Sequence, residues 1–263
     1  MDLGLKGKTV YVAGASKGLG AATARQFARE GARVAINSRD AVKLAATAAA
    51  IAAETGSEVI AVPGDVMSAV EIERSVAQAA ERLGGLDIMV TNNGGPPPGK
   101  FDDLDDAAWQ TAVDLQLFSA VRLIRSALPH LRKSAAPAVL AVSSITVKQP
   151  IPNLLLSNSI RMAVIGLIKS LALEMGNEGI RFNAILPGSI ATDRIKNLAA
   201  DMAKRENISL EDAGKRQASA SPLGRLGDPA EFANTAVFLC SPAASYITGL
   251  MLMFDGGQYK ATF

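Results

Sequence analysis

Ser144, Ser157 and Arg161 are the residues through which this chain could do chemistry. Ser144 ends the apolar run Leu140-Ala-Val142 after a first serine, Ser143. Thirteen residues later, Ser157 and Arg161 stand four apart in a segment of helical apolar spacing, so both project from one helix face. Two hydroxyls and a guanidinium can bind and polarise a carbonyl oxygen. They are poor at moving a proton, because a serine hydroxyl is a weak acid and arginine keeps its charge. Arg161 enters the otherwise apolar Ser157-Asn-Ser-Ile-Arg-Met-Ala-Val-Ile-Gly166, which is costly without an anionic or polar partner. Lys148, four residues past Ser144, is the nearest titratable group. A desolvated lysine can act as an acid; the alternative is a solvated loop lysine.

The elements that would position these residues begin with a strand at 9–13. Next comes Gly14-Ala-Ser16-Lys17-Gly18-Leu19-Gly20, then a helix over 21–30 closed by Gly31, then a strand at 32–38. Strand, glycine turn, helix and strand within about 30 residues make a βαβ unit. Such glycines let backbone N–H groups approach a pyrophosphate at the positive end of a helix. The end of the second strand reads the ribose of a dinucleotide: acidic for NAD, basic for NADP. Here Ser38 and Arg39 stand at that end and Lys17 in the turn, a set that suits the 2′-phosphate of NADP. Asp40 is better placed to cap the next helix.

Further strands are expected at 58–62, 86–91, 138–142, 180–186 and 250–254. Helices are expected over 41–55, 69–83, 102–133, 153–178 and 229–240. The alternation predicts a single-domain α/β fold, a Rossmann-like doubly wound parallel sheet of seven strands. Ligands of such sheets bind beyond the carboxyl ends of the strands, where the glycine turn, Arg39, Asp65, Asn92, Ser144 and Pro187 all fall. The stretch 189–222 is longer than an ordinary connection and partly helical; with Met202 it would form a substrate lid.

Bulk properties exclude other classes. A net charge of +2 gives no basic footprint for nucleic acid. One Cys, Cys240, and one His, His130, leave no intrachain disulfide and argue against any metal site. The N-terminus has no signal-peptide apolar region and no run approaches the ~20 apolar residues of a membrane span, so a cytoplasmic protein without membrane contact is expected.

Over nearly its full length the chain resembles the classical short-chain dehydrogenase/reductases, and among them it is similar to 3-oxoacyl-[acyl-carrier-protein] reductases. The resemblance rests on Gly14-x3-Gly18-x-Gly20, Asp65-Val66, Asn92-Asn-Gly-Gly95, Ser143-Ser144, Leu171-Ala-Leu-Glu174, Asn183, Pro187-Gly188 and Asp255-Gly-Gly257. It implies an NADPH cofactor, with Asp65 and Val66 at the adenine and Asn92 and Gly94 lining the site. Pro187 and Gly188 follow as part of the same site, and Ile190 and Thr192 at the carboxamide and phosphate end. It further implies a homotetramer, with a dimer as the alternative, and a small-molecule substrate.

The catalytic positions depart from the resemblance. The family uses Asn, Ser, Tyr and Lys; this chain has Gln116, Ser144, Ser157 and Arg161 at those places, and Arg161, with its fork of donors, could still bond the nicotinamide ribose of the cofactor. Its only tyrosines, Tyr11, Tyr246 and Tyr259, lie elsewhere. Three activities are therefore open. One is an NADPH-dependent oxidoreductase of carbonyls or alcohols with an altered proton donor. The others are a nucleotide-binding protein without turnover, and a lyase or isomerase reusing the cleft.

Overall fold

The computed structural model describes residues 2–262. Seven strands form one parallel sheet in the order β3-β2-β1-β4-β5-β6-β7. They are β1 (Thr9–Val12), β2 (Arg33–Ile36), β3 (Val59–Ala61), β4 (Ile88–Thr91), β5 (Ala138–Val142), β6 (Arg181–Pro187) and β7 (Met251–Phe254). Alternate residues of each strand face opposite sides. Tyr11, Ala35 and Met89 join one core with helices α3 (Ala69–Leu83), α5 (Ser119–Leu131) and α6 (Leu155–Glu174). Val10, Ile36 and Val90 join the other with α1 (Gly18–Arg29), α2 (Ala41–Thr55) and α9 (Pro229–Cys240). The doubly wound seven-stranded sheet read from the sequence is thus the fold observed.

The strand order reverses between β1 and β4, and the ends of the two strands part there to leave a crevice. Above it lie α7 (Asp193–Glu206) and α8 (Leu210–Ser219), the helical content of the 189–222 stretch.

Two helices differ from expectation. The segment 102–133 is not one regular helix. A 3-10 turn at Phe101–Asp103 precedes α4 (Asp106–Val113), and a π-helical turn (Asp114–Phe118) separates α4 from α5. The segment 153–178 shortens to α6 at both ends: Asn153 adopts a φ of 65°, outside the right-handed helical region, and a 3-10 turn takes Gly176–Glu178. α6 also corrects the expectation about apolar runs: by length and a mean hydropathy of 1.3 it could cross a membrane. Its composition has a second explanation. Leu156, Val164 and Ile168 are buried, the last two in the core with Tyr11 and Met89 of the sheet, while Met162 and Leu173 are exposed.

Candidate active site

The crevice is a cleft of about 890 Å³ that gathers residues from the carboxyl ends of the strands and from α7 and α8. At its floor, the β1–α1 turn bends through Gly14 and Gly18, whose φ values of 60° and 59° exclude ordinary side chains. Gly20 serves closeness instead: a Cβ there would overlap the Gly14 carbonyl and stand 2.9 Å from Ala15 Cα. Asn92 ties the turn to the end of β4, its Nδ2 donating to the carbonyls of Ala13 (3.2 Å) and Gly14 (3.1 Å). Ser16, Gly18 and Leu19 line the cleft with Gly14, whereas Gly20 sits behind it.

Ser38 and the exposed Arg39 follow β2 on the same rim. Asp40 caps α2, its Oδ1 accepting from the Lys43 N–H at 2.9 Å, as expected. Lys17 is not a free cation. Its Nζ donates to Asp193 Oδ2 at 2.9 Å, joining the start of α1 to the start of α7 across the mouth. Lys17, first of all, holds the Asp193 carboxyl below its usual range. Asp65 and Val66 line the neighbouring wall. There the buried Asn37 donates to the carbonyls of Val62 and Gly64 and keeps its Oδ1 without a partner.

Gly94 lines the cleft with open space where a Cβ would stand. Gln116 differs from its expected role. It sits on the π-turn, buried, and its Nε2 donates to Asn93 Oδ1 (2.9 Å) and to the Gly94 carbonyl (2.6 Å). It does not line the cleft; it positions the loop after β4.

At the end of β5, Ser144 caps a 3-10 turn (Ile145–Val147), its Oγ accepting from the Thr146 N–H at 3.2 Å. That leaves the Ser144 hydroxyl proton free to donate into the cleft. Ser157 is buried, with its Oγ 3.2 Å from Thr146 Oγ1. Thr146 thus links the two serines, a contact that no spacing in the sequence indicated. Arg161 is buried below them. Its Nη1 donates to the Val142 carbonyl at 3.3 Å, and its Nε has no partner. Burial, then the Arg194 charge, push this guanidinium down to about 10, still charged at neutral pH. Ser144, Ser157 and Arg161 all line the cleft.

Lys148 does not join them. It terminates the 3-10 turn with its side chain exposed and outside the cleft. Tyr246 is fully exposed, and Tyr11 is buried against Ser75 Oγ at 2.8 Å, pushed above its usual range by burial.

On the far wall, Pro187 and Gly188 end β6 and Thr192 opens α7. Ile190 is buried and bridges Gly227. α7 also contributes Arg194, which sequence reading missed. Its guanidinium lies over Gly95, where a Cβ would stand 2.7 Å from Cζ, and its Nη2 donates to the Pro96 carbonyl at 2.9 Å. A sequence signal existed: a cation in the first turn of a helix opposes the helix dipole.

The cleft fits a nicotinamide dinucleotide. Glycines clear the backbone at the N-terminus of α1, and a basic, hydroxylic rim stands where NADP carries its extra phosphate. A charged, partly unpartnered arginine waits beside the two serines.

Comparison with known proteins agrees. Residues 14–258 match the family described as enoyl-(acyl carrier protein) reductase. L-rhamnose 1-dehydrogenase (NAD(P)(+)) of Azotobacter vinelandii is 37% identical over 256 residues, 96% of each chain. L-sorbose reductase of Gluconobacter frateurii, solved with NADPH and L-sorbose, superposes with a TM-score of 0.94 at 32% identity, covering 99% of this chain and 100% of that one. A short chain oxidoreductase of Pseudomonas aeruginosa PAO1, NADPH-bound and containing an atypical catalytic center, gives 0.88 at 30% identity, covering 98% and 99%. The chain belongs to the short-chain dehydrogenase/reductase family of oxidoreductases, with a cleft of the NADP(H) type.

Proposed function

We propose that the protein is an NADPH-dependent oxidoreductase that interconverts a carbonyl and an alcohol on a small polar substrate, with Ser144, Ser157 and Arg161 in place of a tyrosine-based proton donor. The observation that carries this reading is their convergence: two hydroxyls and a buried arginine with a free Nε, in the one cleft that also holds the glycine turn and Arg39. Relatives named for rhamnose and sorbose support a sugar- or alcohol-type substrate over a 3-oxoacyl one.

When bound, NADPH supplies the hydride to the carbonyl carbon. Ser144 and Ser157 donate hydrogen bonds to the carbonyl oxygen. Arg161 offsets the negative charge that develops there, a stabilisation strengthened by its burial. The proton comes from water reaching the cleft, since Lys148 and Tyr246 lie outside it. That same absence of a titratable donor beside Ser144 favours the runner-up, a nucleotide-binding protein without turnover. α7 and α8 act as the substrate lid in both readings.

Titrating the protein with NADPH and NADH, followed by nicotinamide fluorescence, and then assaying a panel of ketoses, aldoses and simple ketones separates the two. Tight NADPH binding with slow but measurable oxidation at 340 nm is expected. Binding without oxidation on any substrate moves the assignment to the runner-up.

A further inference from the structure

The cleft carries more positive charge at its catalytic end than the fold pairs internally. β4 and β5 are neighbours, with Thr91 opposite Ala141, so the loops leaving them lie side by side. Arg161 sits under the end of β5, on the Val142 carbonyl, and Arg194 lies over the backbone just past the end of β4, at Gly95 and Pro96. Both guanidinium groups line the same cleft. Among the hydrogen bonds and ion pairs of the described residues, each donates to one backbone carbonyl and neither meets a carboxylate. A guanidinium has five N–H donors, so most of each fork is unused.

Two features favour an anion at this point. Arg161 is 8% exposed and its Nε has no partner. Arg194 stands in the first turn of α7, where the helix dipole already repels a cation. The acids that line the cleft are engaged elsewhere: Asp40 caps α2, Asp65 accepts from the Met67 N–H, and Asp193 pairs with Lys17.

We propose that Arg161 and Arg194 form a carboxylate-binding pair, and that the substrate of this enzyme is a small alcohol or carbonyl compound bearing a carboxylate close to the reacting carbon. The inference rests on the oxidoreductase reading for the reacting carbon, but the anion site itself stands on the two arginines. Planar carboxylates match guanidinium forks in paired hydrogen bonds. Gly95 has no side chain to fill the space where Arg194 lies, so this guanidinium rests directly on the backbone beside the cleft. A neutral sugar would leave both charges without a counter-ion, so this substrate class differs from the one the relatives' names indicate.

The other source of negative charge is the pyrophosphate of the cofactor, and the test distinguishes the two. Malonate, with neutral malonamide as control, is titrated calorimetrically into the protein with and without saturating NADPH, using wild type, Arg194→Met and Arg194→Lys. NADPH affinity of each variant is measured by fluorescence. We expect malonate to bind the NADPH-loaded wild type at least about tenfold tighter than malonamide. Arg194→Met should weaken malonate by about 10- to 100-fold, while Arg194→Lys keeps part of the affinity and NADPH binding stays within about threefold. Malonate binding no better than malonamide, or untouched by Arg194→Met, overturns the proposal. So does an Arg194→Met variant that loses NADPH affinity and not malonate affinity, which assigns the pair to the pyrophosphate. Failure of NADPH to bind at all sinks the oxidoreductase reading alone, since the cofactor-free titrations still read the arginine pair.

Discussion

Ser157 and Arg161 occupy the two positions that decide proton transfer, and their replacement is the sharpest intervention available. Ser157→Tyr with Arg161→Lys installs a phenol and an ammonium four residues apart on α6, facing Ser144. A positioned general acid is worth roughly 10²- to 10⁴-fold. The double variant should therefore accelerate NADPH-dependent ketone reduction by at least about tenfold over wild type, measured at 340 nm under single-substrate saturation. An unchanged rate means that the cleft is shaped for a different reaction. At this scale the sequence was partly legible. The burial of Arg161 was predictable from a charge placed in an apolar helix, and it is buried. Gln116, by contrast, sits on the π-turn and donates to Asn93 Oδ1 and the Gly94 carbonyl instead of lining the cleft, a contact between segments that its place in the family pattern does not reveal. Thr146 and Arg194 were missed because their roles depend on contacts between segments: Arg194 reaches a carbonyl 98 residues away.

Among elements, the junction of β6 with α9 shows how one side chain fixes a helix end. Arg181, at the start of β6, donates to the carbonyls of Leu239, Cys240 and Ser241 at the end of α9, where a helix terminus leaves carbonyls without helical partners, and to those of Ala244 and Ile247 just beyond it. Cys240 lies at this end of α9, and burial pushes its thiol up to about 12, with Arg181 pulling slightly the other way. A thiol raised in the folded state stabilises the fold below its unfolded pKa near 9.0 and loses that contribution as pH rises through about 12. Wild type should thus lose stability between pH 9 and 12 faster than Cys240→Ala, by up to about 1.4 kcal/mol per pH unit. Urea midpoints across that range check it; parallel slopes for the two proteins would remove the thiol as a cause. The strands and the glycine turn were legible because each follows from local pattern. Helix boundaries were not: Asn153 takes a positive φ that no local apolar pattern marks.

At the scale of the molecule, α6 presents two apolar faces and buries one. Met162 and Leu173 remain 51% and 77% exposed, as does much of Phe118 at the π-turn. A second copy of the chain covering these faces is the assembly we propose, a homotetramer with the dimer as alternative. Light scattering after gel filtration should give four times the 27.3 kDa chain mass. Leu173→Lys with Met162→Lys should reduce it, and a monomeric wild type would end the idea.

The Lys17–Asp193 pair spans the mouth of the cleft between the glycine turn and α7, and both side chains are more than half exposed. It is therefore a latch whose strength the surrounding electrolyte sets. A dinucleotide held beneath it leaves only when the latch opens, so exchange of cofactor, and not chemistry alone, becomes sensitive to ionic strength. Stopped-flow displacement of NADPH should quicken by a few-fold at most between low and molar salt. In Asp193→Asn the exchange should be fast already, and this part of its salt dependence should vanish.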